Sequence, residues 1–76
     1  MPTLASLGSL KIKVFADDHN PPHFHAVTPD GDVLIGIADF AVMAGRIDRR
    51  SLEVALAWAT KHQALLEAEW RRLNER

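Results

Sequence analysis

The chain has 76 residues, no cysteine, a formal net charge of -1, and 47 % hydrophobic and 25 % charged residues. That length gives one domain over residues 1–76, and the balanced charge excludes a general nucleic-acid coat protein. Without cysteine there is no disulfide framework and no Cys-based zinc site, and the composition excludes a predominantly disordered chain.

A chain this short buries only about 60 % of its unfolded surface, so its stability margin is thin. Any added staple must be a histidine-bound metal, a second subunit or a partner. The start MPTLASLGSLKIKV lacks a basic n-region followed by an apolar h-region, and no apolar run reaches membrane-spanning length. A soluble cytoplasmic protein with no membrane partner is the expectation.

The first predicted strand covers about residues 10–16, where Leu10, Ile12 and Val14 alternate with Lys11 and Lys13. Pro21 and Pro22 then interrupt regular pairing, since proline lacks an N–H and extends the residue before it. HFHAVT, PDG and DVLIGIA predict a hairpin with strands over about 23–28 and 32–38. The turn chemistry predicts Pro29 and Asp30 in the centre and Gly31 in the left-handed position, with Thr28 opposite Asp32. That register sets His25 against Ile35, His23 against Ile37 and Phe24 over Gly36. Apolar residues then occupy both faces, and one helix covers only one of them. A short fourth strand is predicted over about 40–44, ended by Gly45.

From Asp48 the period becomes helical. Asp48 suits an N-cap, Ile47 and Leu52 stand at hydrophobic-staple positions, and Leu52, Leu56, Ala59, Leu66, Trp70 and Leu73 recur at helical spacing. One helix over about 49–73 would run roughly 37 Å, about twice the roughly 17–20 Å of a typical strand. Its overhang makes Leu65, Leu66, Trp70 and Leu73 the expected contact with a subunit or partner, against the alternative that they close the core. The predicted fold is α+β, a small antiparallel sheet of three to four strands packed on one long C-terminal helix.

Function centres on DDHNPPHFH, residues 17–25. His23 and His25 leave the same strand face with Cα atoms roughly 6.6 Å apart, close enough to share one phosphate, metal or proton. An extended HNPPH would hold His19 roughly 12 Å from His23, so His19 joins them only if the loop folds back. In an acid/base reading His19, His23 and His25 move a proton during phosphodiester cleavage while Asp18 holds a tautomer. The 2′-hydroxyl of RNA is then the nucleophile and no cofactor is required. Arg46, Arg49 and Arg50, beside a helix N-terminus, would hold the phosphate. In the metal reading His19, His23 and His25 ligate one divalent ion, zinc by preference, with Asp17 or Asp18 completing the shell. In the structural reading these side chains bond loop carbonyls and shape the crossover. His62, four residues after Trp58, is expected to be a half-buried helix residue.

The start MPT, the aromatic-ended first strand, DDHNPPHFHA, and the helical series Trp58, His62, Leu66 and Trp70 together resemble a small bacterial and archaeal family, domain of unknown function 4160. The resemblance spans nearly the whole chain, and its motif falls without a gap on Asp18 to His25. It implies a small prokaryotic domain often encoded beside another small family, number 2442, in an arrangement like a toxin–antitoxin pair, and it brings no catalytic assignment. Many relatives carry an aromatic shortly after the motif, where this chain has Val27 and Thr28. The leading expectation is a toxin-like member acting on RNA or another phosphate-bearing target. The rival expectations are a non-enzymatic antitoxin or regulator, paired with itself or a small cognate protein, and a metal hydrolase.

Overall fold

The structure, a computed structural model, describes residues 3–16 and 21–74. It is an α+β fold: a five-stranded antiparallel meander in the order β1-β2-β3-β4-β5, followed by two helices. The strands are β1 (Thr3–Leu7), β2 (Leu10–Lys13), β3 (His23–Thr28), β4 (Gly31–Gly36) and β5 (Val42–Gly45). The helices are α1 (Arg49–Lys61) and α2 (Gln63–Asn74). The expectation of three to four strands on one long helix is therefore corrected on both counts.

β1 is the additional strand. Leu7 and Leu10 pair across Gly8 and Ser9, and Gly8 has φ +66°. Glycine at the first central position of a two-residue hairpin loop suits the turn whose twist matches that of the strands. The two edge strands, β1 and β5, each carry a register irregularity. A bulged, short edge is a poor template for further strand pairing.

The central hairpin forms where predicted but one residue out of register. Thr28 pairs with Gly31, so His25 faces Leu34, Phe24 faces Ile35 and His23 faces Gly36. Gly31 does not take the left-handed conformation; its reason for being glycine lies elsewhere, because a Cβ there would sit 2.7 Å from the Arg46 carbonyl oxygen. Pro29 and Asp30 thus form the whole loop. A one-residue slip exchanges the faces of a strand, and here it puts Val33 and Ile35 on the side of Phe24 and Ala26, leaving Leu34 with His25 and Val27.

The inner face is sealed. Leu10, Ile12, Val14, Phe24, Ala26, Val33, Ile35 and Ile37 pack with Ala55 and Ala59 of α1 and Leu66 and Trp70 of α2, all nearly or fully buried. Asp48 caps α1, its carboxylate accepting from the Ser51 N–H at 2.9 Å. Thirteen residues give α1 a length of about 20 Å, which matches the sheet.

The helix ends because His62 replaces its own amide. In an unbroken helix the His62 N–H would donate to the Trp58 carbonyl four residues back. Instead it donates to Ala59 at 3.1 Å, while the His62 Nδ1–H takes the Trp58 carbonyl at 2.8 Å. The ring also stacks on Trp58, centroids 4.4 Å apart and planes 15° from parallel. Past this break α2 is tied to the chain beyond the ends of β2 and β4. The Gln63 amide donates to the carbonyls of Ile37 at 2.8 Å and Ala38 at 3.2 Å, and the Asn74 amide donates to Phe15 at 3.0 Å. Of the four expected interface residues, Leu66 and Trp70 are core instead, Leu73 is half-buried against the core, and Leu65 alone is largely exposed. The overhang that motivated the interface expectation does not exist, since the chain bends where it would begin.

Candidate functional site

β3 carries the motif's last three residues, and alternation separates them. Phe24 points into the core, whereas His23 and His25 leave the opposite side with ring centroids 5.3 Å apart. The two imidazoles that the sequence pairs are therefore together, but their surroundings differ. His23 is 3 % exposed, its ring lying 5.2 Å from Trp70 of α2. Its Nδ1 meets the Pro21 carbonyl at 2.9 Å; a carbonyl only accepts, so Nδ1 bears the proton. Pro22 is fixed from the other side, its carbonyl accepting the Ile37 N–H at 3.0 Å. Carbonyls of both prolines are thus used to pin the chain entering β3.

His25 is half-buried. Phe15, two residues past β2, meets it edge-on at 4.5 Å with planes 88° apart. Lys13 stands opposite it in the strand pairing. Phe15, His25, His23 and Trp70 form a row of rings running from the outer face of the sheet to the buried side of α2. Lys13 and Phe15 were not among the residues singled out from sequence. The outward alternation of Lys11 and Lys13 was visible there, but not the pairing of β2 with β3 that brings Lys13 to His25.

An open groove of about 560 Å³ lies on this outer face, lined by Lys13, Phe15, His25 and Val27 and, toward the hairpin turn, by Asp30 and Asp32. A second crevice of about 140 Å³ lies between Pro22, Ile37, Trp70 and Arg71. Ligand pockets typically enclose roughly 300–1,000 Å³, so only the first has room for a sizeable ligand, and it is a shallow surface rather than an enclosure.

Arg46, Arg49 and Arg50 are not brought to the histidines. Arg46 follows β5, and its N–H donates to the Asp32 carbonyl at 3.0 Å. That is toward the turn end of the hairpin, where Asp32 pairs with Val27, four residues along β3 from His23 and hence about 13 Å away. Arg49 faces Glu53 at 3.4 Å in a solvated pair whose side chains are 91 % and 66 % exposed, an arrangement of small energetic weight. His19, Asp17 and Asp18 lie outside the described residues. Among the described residues no three His, Asp or Glu side chains are grouped to hold a metal ion. His23 and His25 would give two of the four donors that zinc takes, and the remainder would have to come from His19, Asp17 or Asp18.

Residues 10–71 match the family described as Domain of unknown function (DUF4160). The chain belongs to this family. The match begins with β2 and ends in α2, so it includes both histidines, the groove and the helix break. No curated protein matches the chain. No solved structure matches it either. Among the described residues no helix of this DUF4160 member is long and apolar enough to cross a membrane.

Proposed function

We propose that this DUF4160 chain is a non-enzymatic protein-binding domain, one half of a small two-gene system of the toxin–antitoxin type, and that it docks its partner on the outer face of the sheet. The observation that carries this reading is the asymmetry of the two imidazoles. His23 is 3 % exposed with its Nδ1–H committed to Pro21, so it serves to fix the strand entry. The surface beside it is a broad open face with half-buried Phe15, Val27 and Leu34 set among charged side chains. Apolar residues rimmed by polar ones on an open face are the usual composition of an interface. Co-expression with the product of the neighbouring gene tests it: the two proteins are expected to co-purify, and Val27→Lys is expected to release the partner while leaving the fold intact. Retention of the partner by the Val27→Lys variant would refute the reading.

A second reading, the toxin-like enzyme acting on RNA, is favoured by the position of His25. It is reachable from the groove, it faces Lys13 across the strand pair, and Phe15 offers an aromatic surface beside it. In that chemistry the 2′-oxygen attacks phosphorus and the bond to the 5′-oxygen breaks. His25 takes the 2′-proton, Lys13 neutralises the phosphate, and the leaving oxygen receives a proton from His19 or water. Growth arrest on expression, abolished by His25→Ala in folded protein, is its expected signature. Equal toxicity of variant and wild type would remove it.

A further inference from the structure

The outer face of the sheet has a pattern of charge that the sequence alone does not reveal, because it depends on register. Across the strands one row reads Ser6, Lys11, Val27 and Asp32, and the next reads Lys13, His25, Leu34 and Ala44. Cations therefore lie on β2 and an anion, Asp32, on β4, with His25 and Val27 of the central strand between them. Asp30, in the turn, adds to the anionic side, so two lysines balance two aspartates. Lys11 is tied toward β1, its Nζ donating to Ser6 Oγ at 2.7 Å and to the Gly8 carbonyl at 3.4 Å.

We propose that the occupant of this face is a second copy of the chain, the two sheets packing face to face about a two-fold axis that runs along β3. The proposal rests on the docking-face reading above and concerns the free chain, in which a second copy holds the face that the cognate partner would otherwise take. The argument is one of symmetry. Rotation by half a turn about an axis parallel to β3, midway between two stacked sheets, exchanges β2 with β4 and leaves each position along the strand unchanged. Lys11 then lies over the partner's Asp32, and Asp32 lies over the partner's Lys11, because both belong to one row with Val27 at its centre. Val27 and His25 each meet their own copy on the axis. Lys13 comes over the partner's Leu34, where its aliphatic stem can pack. A face with all its lysines or all its aspartates on the axis would repel a copy of itself. This one, divided lengthwise into a positive and a negative half, attracts it. The geometry is also what two sheets of this kind adopt, strands within about 30° of each other and layers about 10 Å apart. The bulged edges β1 and β5 favour stacking over edge-to-edge pairing for the same reason.

Sedimentation equilibrium of the purified full chain tests this directly. The wild type is expected at twice its 8.5 kDa monomer mass. Asp32→Lys places four like charges at the two contacts, as does Lys11→Asp with the opposite sign. Each is expected to raise the dimer dissociation constant by more than about tenfold. An equimolar mixture of the two variants restores complementarity and is expected to form the heterodimer, identified by native mass spectrometry. Val27→Lys, on the axis, is expected to be monomeric as well. Circular dichroism confirms that each variant is folded; these side chains lie outside the core, so folding is expected in every case. A monomeric wild type at millimolar concentration overturns the proposal. So does a dimer that survives Asp32→Lys and Val27→Lys, or a mixture that stays monomeric. A monomeric wild type that still binds the neighbouring gene product, and loses it on Val27→Lys, overturns only the self-pairing and leaves the docking face in place.

Discussion

The two sides of one strand, β3, are written in different chemistry. Phe24 and Ala26 face inward against Val33, Ile35 and the small residues Ala55 and Ala59. His25 and Val27 face outward among lysines and aspartates and stay half-buried. The core is thus concentrated on one side of a single sheet, and the other stays open to solvent. In a chain too short for two cores this division is the economical arrangement.

Substitutions on the two sides should therefore separate by magnitude. Phe24→Ala empties the centre of the sealed layer and is expected to lower unfolding free energy by about 3–5 kcal/mol in urea titration, enough to unfold the domain at ordinary temperature. Leu66→Ala is expected to cost about 2–5 kcal/mol, which distinguishes a core residue from an interface residue; an unchanged denaturation midpoint would return Leu66 to the surface. His23→Ala removes a nearly buried ring together with its bond to the Pro21 carbonyl and is expected to cost about 1–3 kcal/mol, measured the same way, whereas His25→Ala should cost less. Val27→Lys on the outer face should change stability by less than about 1 kcal/mol. A larger loss would show that the outer face is part of the fold.

Asp48 supplies a finer test, through pH. The Ser51 amide at the start of α1 holds its carboxyl below the usual carboxylate value. A group whose folded value is depressed contributes stability above its unfolded value, near about 4, and loses it as pH falls through the folded value. Melting temperature followed from about pH 6 down to about pH 2 should fall less steeply for Asp48→Asn than for the wild type, with the two curves converging in acid. Parallel curves would detach the cap from the acid transition.

The sequence made some of this legible and concealed the rest for identifiable reasons. Alternation placed Ile12 and Val14 inward and the lysines outward, and Asp48 marked the helix start, because both signals are local. The helix break was invisible, since Leu56 and Ala59 before His62 and Leu66 and Trp70 after it keep helical spacing, and an imidazole substituting for its own amide leaves no periodic trace. β1 was hidden because Leu4, Leu7 and Leu10 recur at threes rather than twos. The hairpin register failed by one residue through Gly31, whose glycine answers to the Arg46 carbonyl and not to the turn. In the site, the spacing of His23 and His25 was enough to bring the rings together. The burial of His23 was not readable, because it depends on α2 setting Trp70 beside it.

Both indoles of this tyrosine-free chain stand next to an imidazole, Trp58 by His62 and Trp70 by His23. A protonated imidazole quenches indole emission more strongly than a neutral one, so the intrinsic fluorescence of the native protein doubles as an optical reading of its histidines. Trp58→Phe leaves a lamp lit only at the motif, and Trp70→Phe one lit only at the helix break.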